Sequence, residues 1–92
     1  MNKNKWTGDK FMKNYVITFE NTHTAMDGES VLKEKGIKLI IIPTPTYITK
    51  SCGISIRIDE QDYEDVKKII ESKEINIKNV YLKEGKDYQL VI

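Results

Sequence analysis

Apolar and polar positions alternate with a period of two in several short runs, and the runs in between repeat at helical spacing. Residues 14–19, NYVITF, are β-branched and aromatic and predict a first strand. Glu20, Asn21 and Thr22 interrupt it, and Asn21 or Thr22 is a good N-cap for a helix reaching about Lys35. Ala25, Gly28 or Glu29, and Leu32 recur on one face of that helix, and Gly36 suits the residue after its end. A glycine inside a helix is costly, so Gly28 predicts close approach of the helix backbone to a sheet. Residues 37–42, IKLIII, predict a second strand that ends at Pro43, which has no N–H for a ladder. Residues 53–58 predict a third strand. Asp59 is the expected cap of a second helix that buries Tyr63, Val66, Ile69 and Ile70 and ends near Ser72 or Lys73. Residues 77–82 predict a fourth strand. A turn at residues 84–87 leads into YQLVI, which predicts a short fifth strand folding back on the fourth.

The order strand, helix, strand, strand, helix, strand is the α+β, ferredoxin-like βαββαβ pattern, an antiparallel sheet with two helices on one face and an extra C-terminal strand. Tyr15, Ile17, Phe19, Ile37, Leu39, Ile41, Ile54, Ile56 and Ile58 would face the helices. Val16, Thr18, Ile40, Ile42, Ser55 and Arg57 would form an open face, apolar enough for a partner. The expected organisation is a flexible leader over residues 1–13, one domain over 14–82, and a turn with an edge strand over 83–92.

Composition narrows the function classes. A chain of 92 residues has room for one core. Fifteen basic and fourteen acidic side chains give a net charge of +1 without a basic stripe, which argues against nucleic acid. No apolar run is long enough to span a membrane, and the Lys-rich start has no apolar core of a signal peptide, so the expected location is the cytoplasm. A single cysteine excludes an internal disulfide. One Cys and one His fall short of a metal's usual ligand set, so no metal is expected, and nothing in the chain calls for a cofactor.

Candidate chemistry gathers in residues 43–57, PTPTYITKSCGISIR, which hold both prolines and the only cysteine. In the ferredoxin-like order, strand three runs between strands one and two and antiparallel to both. Its start then lies beside their ends. That brings Cys52 near Asn21, Thr22 and His23 and near the positive end of the first helix, which stabilises a thiolate. Lys50 and Ser51 adjoin it, and Gly53 would let a second molecule or an attached atom approach the backbone. Cys52 is also in phase with Ile54 and Ile56, so spacing alone equally supports a buried core residue.

ITFENTHTAM, VLKEKGI and PTPTYITKSCG with the short strand after it appear in that order and spacing, and NVY at residues 79–81 fits more loosely. Over residues 14–82 the chain resembles the selenium/sulfur carrier protein-like family, small bacterial domains. The resemblance implies a carrier more than a turnover enzyme. Cys52 would hold sulfur or selenium as a persulfide or selenosulfide, with Lys50, Ser51, Gly53, Asn21, Thr22 and His23 around it. The implied partners are donor and acceptor proteins, with the chain itself a monomer or homodimer. The alternative is a ligand-binding or protein-interaction module with a structural cysteine.

Overall fold

The computed structural model describes residues 13–44, 53–84 and 87–92. Its elements run β1 Lys13–Thr18, α1 Thr22–Glu34, β2 Leu39–Pro43, β3 Ile54–Asp59, a 3-10 turn Glu60–Asp62, α2 Tyr63–Glu71, β4 Asn79–Glu84 and β5 Asp87–Leu90. The strands form one five-stranded sheet in the order β2-β3-β1-β4-β5. Every neighbouring pair is antiparallel. The first four strands have the ferredoxin-like order. β5 is the extra strand, folded back along β4 from Glu84–Asp87 to Tyr81–Leu90.

Register fixes the two faces. Tyr15 lies opposite Ile58 and Leu82, and Ile17 opposite Ile56 and Val80. Leu39 and Ile41 lie opposite Ile58 and Ile56. This is the helix-covered face, and its core joins Ile17, Phe19, Ile56, Ile58 and Val80 to Ala25 and Leu32 of α1 and Val66 and Ile69 of α2. Gly28 is buried in α1, and a methyl group there would lie 2.9 Å from Cε2 of Phe19. The side-chain-free position is what lets the helix sit this close to the sheet. Gly36, at φ +80°, ends the α1 segment in the left-handed region where glycine carries no Cβ penalty.

Local expectations are corrected in four places, the first being β2, which begins at Leu39, not Ile37, and takes in Pro43. Asp59 does not cap α2: it ends β3 opposite Asn14 and stands at the N-cap position of a 3-10 turn, where its side chain makes no capping bond. A 3-10 turn then carries the chain to α2, whose N-cap position is Asp62. β4 begins at Asn79, not Ile77. Ile77 packs on the core from outside the strand. Thr18 defines the true start: its Oγ1 donates to the Asn79 carbonyl at 3.3 Å and accepts from the Asn79 N–H at 3.2 Å. The face away from the helices is also less open than its residue types suggest. Val16, Thr18 and Ser55 are buried, while Ile40 on the edge strand β2 is 51% exposed. The first three stand on β1 and β3, interior strands flanked on both sides.

Candidate functional site

The end of the sheet where β1 and β2 finish and β3 begins is built by pairing, not by a free loop. Ile17 lies opposite Ile56, and Pro43 lies opposite Ile54. Beyond the ladder the Thr44 N–H donates to the Gly53 carbonyl at 3.2 Å. Thr44 and Ser55 are both buried, and their hydroxyl oxygens are hydrogen-bonded to each other. A buried hydroxyl needs a partner, and each supplies the other's. The two stems of the segment 45–52 are therefore clasped together. Sequence reading missed this pair. Its signal was a short hydroxyl side chain, Ser55, between two isoleucines, with a threonine just past the proline that ends the opposing strand.

Phe19 and Glu20 lead from β1 into α1 at this same end. Asn21 is the N-cap, with extended backbone at φ −158° and ψ 173°. Its side-chain oxygen accepts from the Thr24 N–H at 2.9 Å, and the Asn21 N–H donates to Thr24 Oγ1 at 3.4 Å. This reciprocal box satisfies donors that a helix start leaves unpaired and fixes the direction in which α1 departs. Thr22 begins the helix and is exposed. His23 is exposed too, with Nε2 3.5 Å from Asp27 Oδ2 one turn on. A Cβ built at Gly53 meets no atom of the described residues within 4 Å.

Of the candidate residues, Asn21, Thr22, His23 and Gly53 thus belong to one end of the sheet by topology. Cys52, Ser51 and Lys50 lie outside the described residues, as do most of the leader and the turn residues 85 and 86. Among the described residues no group of three or more His, Cys, Asp or Glu side chains could hold a metal ion. No helix among them is long and apolar enough to cross a membrane.

A family model described as "Putative Se/S carrier protein-like" matches residues 14–82, from the second residue of β1 into β4. The chain belongs to this Se/S carrier-like family. The match takes in the clasped stems, the capped start of α1 and the position of Cys52. A relative is the uncharacterized protein MJ0011 of Methanocaldococcus jannaschii, 37% identical over 60 residues. That alignment covers 65% of this chain and 30% of the relative, so the chain spans less than a third of the relative's length. The resemblance implied a bacterial domain, whereas this relative is archaeal. No solved structure matches the chain.

Proposed function

We propose that this member of the Se/S carrier-like family holds a sulfur or selenium atom on Cys52 and passes it between two proteins. The observation that carries the reading is the family match across residues 14–82, which includes Cys52 one residue before the start of a clasped strand stem. In the sulfur case the Cys52 thiolate attacks the outer sulfur of a donor protein's persulfide. One S–S bond forms on Cys52 as the donor's own S–S bond breaks, and the donor leaves as a thiolate. An acceptor thiolate then attacks the outer sulfur now on Cys52 and returns it to a thiolate. Each step is an exchange with no net oxidation. Selenium transfers in the same way from a selenosulfide donor.

A carrier of this kind needs a thiolate at a solvent-facing point of a stiff frame. The start of α1 supplies the N–H groups of Thr22 and His23, outside the capping box, and the positive end of a 13-residue helix at the same end of the sheet. Gly53 leaves room beside the chain for the attached atom and the incoming thiol. Lys50 and Ser51 are the proposed neighbours of the charged sulfur, with Asn21, Thr22 and His23 on the facing side. The exchange suits a reducing compartment such as the cytoplasm, where free thiols persist.

The test is intact mass spectrometry of the protein recovered without reductant. The expected spectrum shows an added sulfur or selenium that disappears on reduction and is absent from Cys52→Ser. A protein that never acquires the atom, even when incubated with a persulfide-bearing donor, would overturn the proposal and leave Cys52 a structural residue.

A further inference from the structure

A second site lies at the other end of β3 and owes nothing to Cys52. Lys38, Leu39, Ile40, Arg57 and Asp59 line a surface cavity of about 280 Å³. Ile40 pairs with Arg57, and Asp59 follows two residues later on β3. Side chains two apart in a strand share a face, so Ile40, its partner Arg57 and Asp59 all rise from the helix-free side, and Lys38, just before β2, lines the same cavity. The strand rise puts Arg57 roughly 13 Å, and Asp59 roughly 20 Å, from Gly53 along β3.

The charged groups of this cavity are uncommitted. Among the described residues, none of Lys38, Arg57 and Asp59 forms an ion pair. Asp59 occupies an N-cap position without using its carboxylate there. Arg57 is half-buried near the middle of the sheet. A guanidinium held partly out of water gains from a bidentate anion, and a carboxylate matches its fork. Two cations against one anion leave the cavity short of one negative charge. Asp59 in turn disfavours a plain dianion and favours a ligand with an ammonium beside its carboxylate. The Ile40 side chain, half out in solvent, supplies the aliphatic wall. The volume lies just below the range of drug-sized ligand sites, which begins at about 300 Å³, and suits a smaller molecule.

We propose that this cavity binds a small zwitterion, an α-amino acid with an aliphatic side chain. Arg57 and Lys38 take its carboxylate, Asp59 takes its ammonium, and Ile40 packs against its side chain. The site is independent of sulfur or selenium transfer.

The experiment follows the isoleucine methyl resonances of the full chain by NMR during titration with three matched probes. These are L-leucine, 4-methylpentanoate, which lacks the ammonium, and 3-methylbutylamine, which lacks the carboxylate. L-leucine should move the Ile40 methyl in a saturable way, and each analogue should bind at least tenfold more weakly. Arg57→Gln should abolish the leucine response. Asp59→Asn should bring leucine and 4-methylpentanoate to equal affinity. Should Arg57→Gln lose its native spectrum, Lys38→Gln at the exposed rim serves instead and should weaken leucine several-fold. Linear, unsaturated shifts with leucine into the tens of millimolar would overturn the proposal. So would analogues that bind as well as leucine, or variants that bind it unchanged.

Discussion

Replacing Gly28 by alanine sets two effects of opposite sign against each other. In an exposed helix the change would stabilise, because alanine restricts the unfolded chain and favours the helix by about 1 kcal/mol. Here the new methyl would lie 2.9 Å from Cε2 and 3.1 Å from Cζ of Phe19, and 3.8 Å from Cδ1 of Ile56. Carbon atoms pack best at about 3.5–4.0 Å, so the ring or the helix must yield by roughly half an ångström. Phe19 has no exposed surface and belongs to the core cluster, so its ring can yield only by shifting close-packed neighbours. Forcing an extra methyl into such a place costs about 1–3 kcal/mol. The overpacking outweighs the propensity gain, and the expected net loss is about 1 kcal/mol.

Urea unfolding would read this as a lower midpoint at unchanged slope. In a heat scan a loss of that size corresponds to roughly 4–8 °C for a domain of this length. The mechanism has its own signature. Phe19→Leu alone should destabilise by opening a cavity, but in the Gly28→Ala background it should cost less, with a coupling of about 0.5 kcal/mol or more. A Gly28→Ala protein as stable as its parent, or losses that simply add, would show that the close approach of α1 to Phe19 does not constrain residue 28.

Two further outcomes follow from the sheet edge and from Tyr15. Deleting residues 85–92 removes β5 and the Val91 N–H bond to the Val80 carbonyl, 2.9 Å, and bares the edge of β4. The melting temperature should fall or the chain should associate on gel filtration; no change in either would show the tail to be dispensable. Tyr15 is held above the ordinary tyrosine value, chiefly by burial, then by Tyr63 stacked 3.9 Å away and by Glu60, Glu64 and Glu84. The unfolded chain therefore releases this proton at lower pH than the folded one, and stability should fall as pH rises past about 10. Tyr15→Phe should make that fall shallower in urea unfolding across pH 8–11, and an identical slope would refute the assignment.

The elements most legible in the sequence were those where one physical cause dominated. Alternation in NYVITF and ISIRI set the phase of β1 and β3, and the antiparallel register then placed Ile17 beside Ile56 as that phase required. Asn21, Gly28 and Gly36 each signalled a backbone constraint that only a few residue types satisfy. Asp59 misled because an aspartate suits both a cap and a polar strand end, and its partner Asn14 is distant in sequence. Ile77 misled because an apolar residue packs on a core equally well from outside a strand. The Thr44–Ser55 bond has no period to detect, since it depends on two strands already being paired.

The candidate site was legible to the extent that topology governs it. The reading that strand three starts beside the ends of strands one and two depended only on strand order, and the order β2-β3-β1 gives the neighbours of Gly53 directly. What topology leaves open is side-chain chemistry within that end. Asn21 spends its carbonyl oxygen on the cap, and His23 sits beside Asp27, because a helix start makes local demands on polar groups that spacing alone does not weigh.

Rigidity at this end is over-determined, which bears on how a carrier could work. Gly28 brings α1 onto Phe19, the capping box fixes the turn between them, and the Thr44–Ser55 bond ties β2 to β3. Buried polar pairs cost little while both members are present and about 1–3 kcal/mol when one is removed. None of these three devices is needed merely to bury the isoleucines, which β-pairing and the helix stripes already do. The Thr44–Ser55 bond, with the Thr44–Gly53 bond beside it, holds the stems on either side of residues 45–52 in one relative position, and the other two fix the start of α1 at the same end. A transfer between two proteins gains from such a frame, because each partner then meets the same geometry and less ordering entropy is lost on docking. The sheet thus supplies a fixed mount for the chemistry proposed for Cys52.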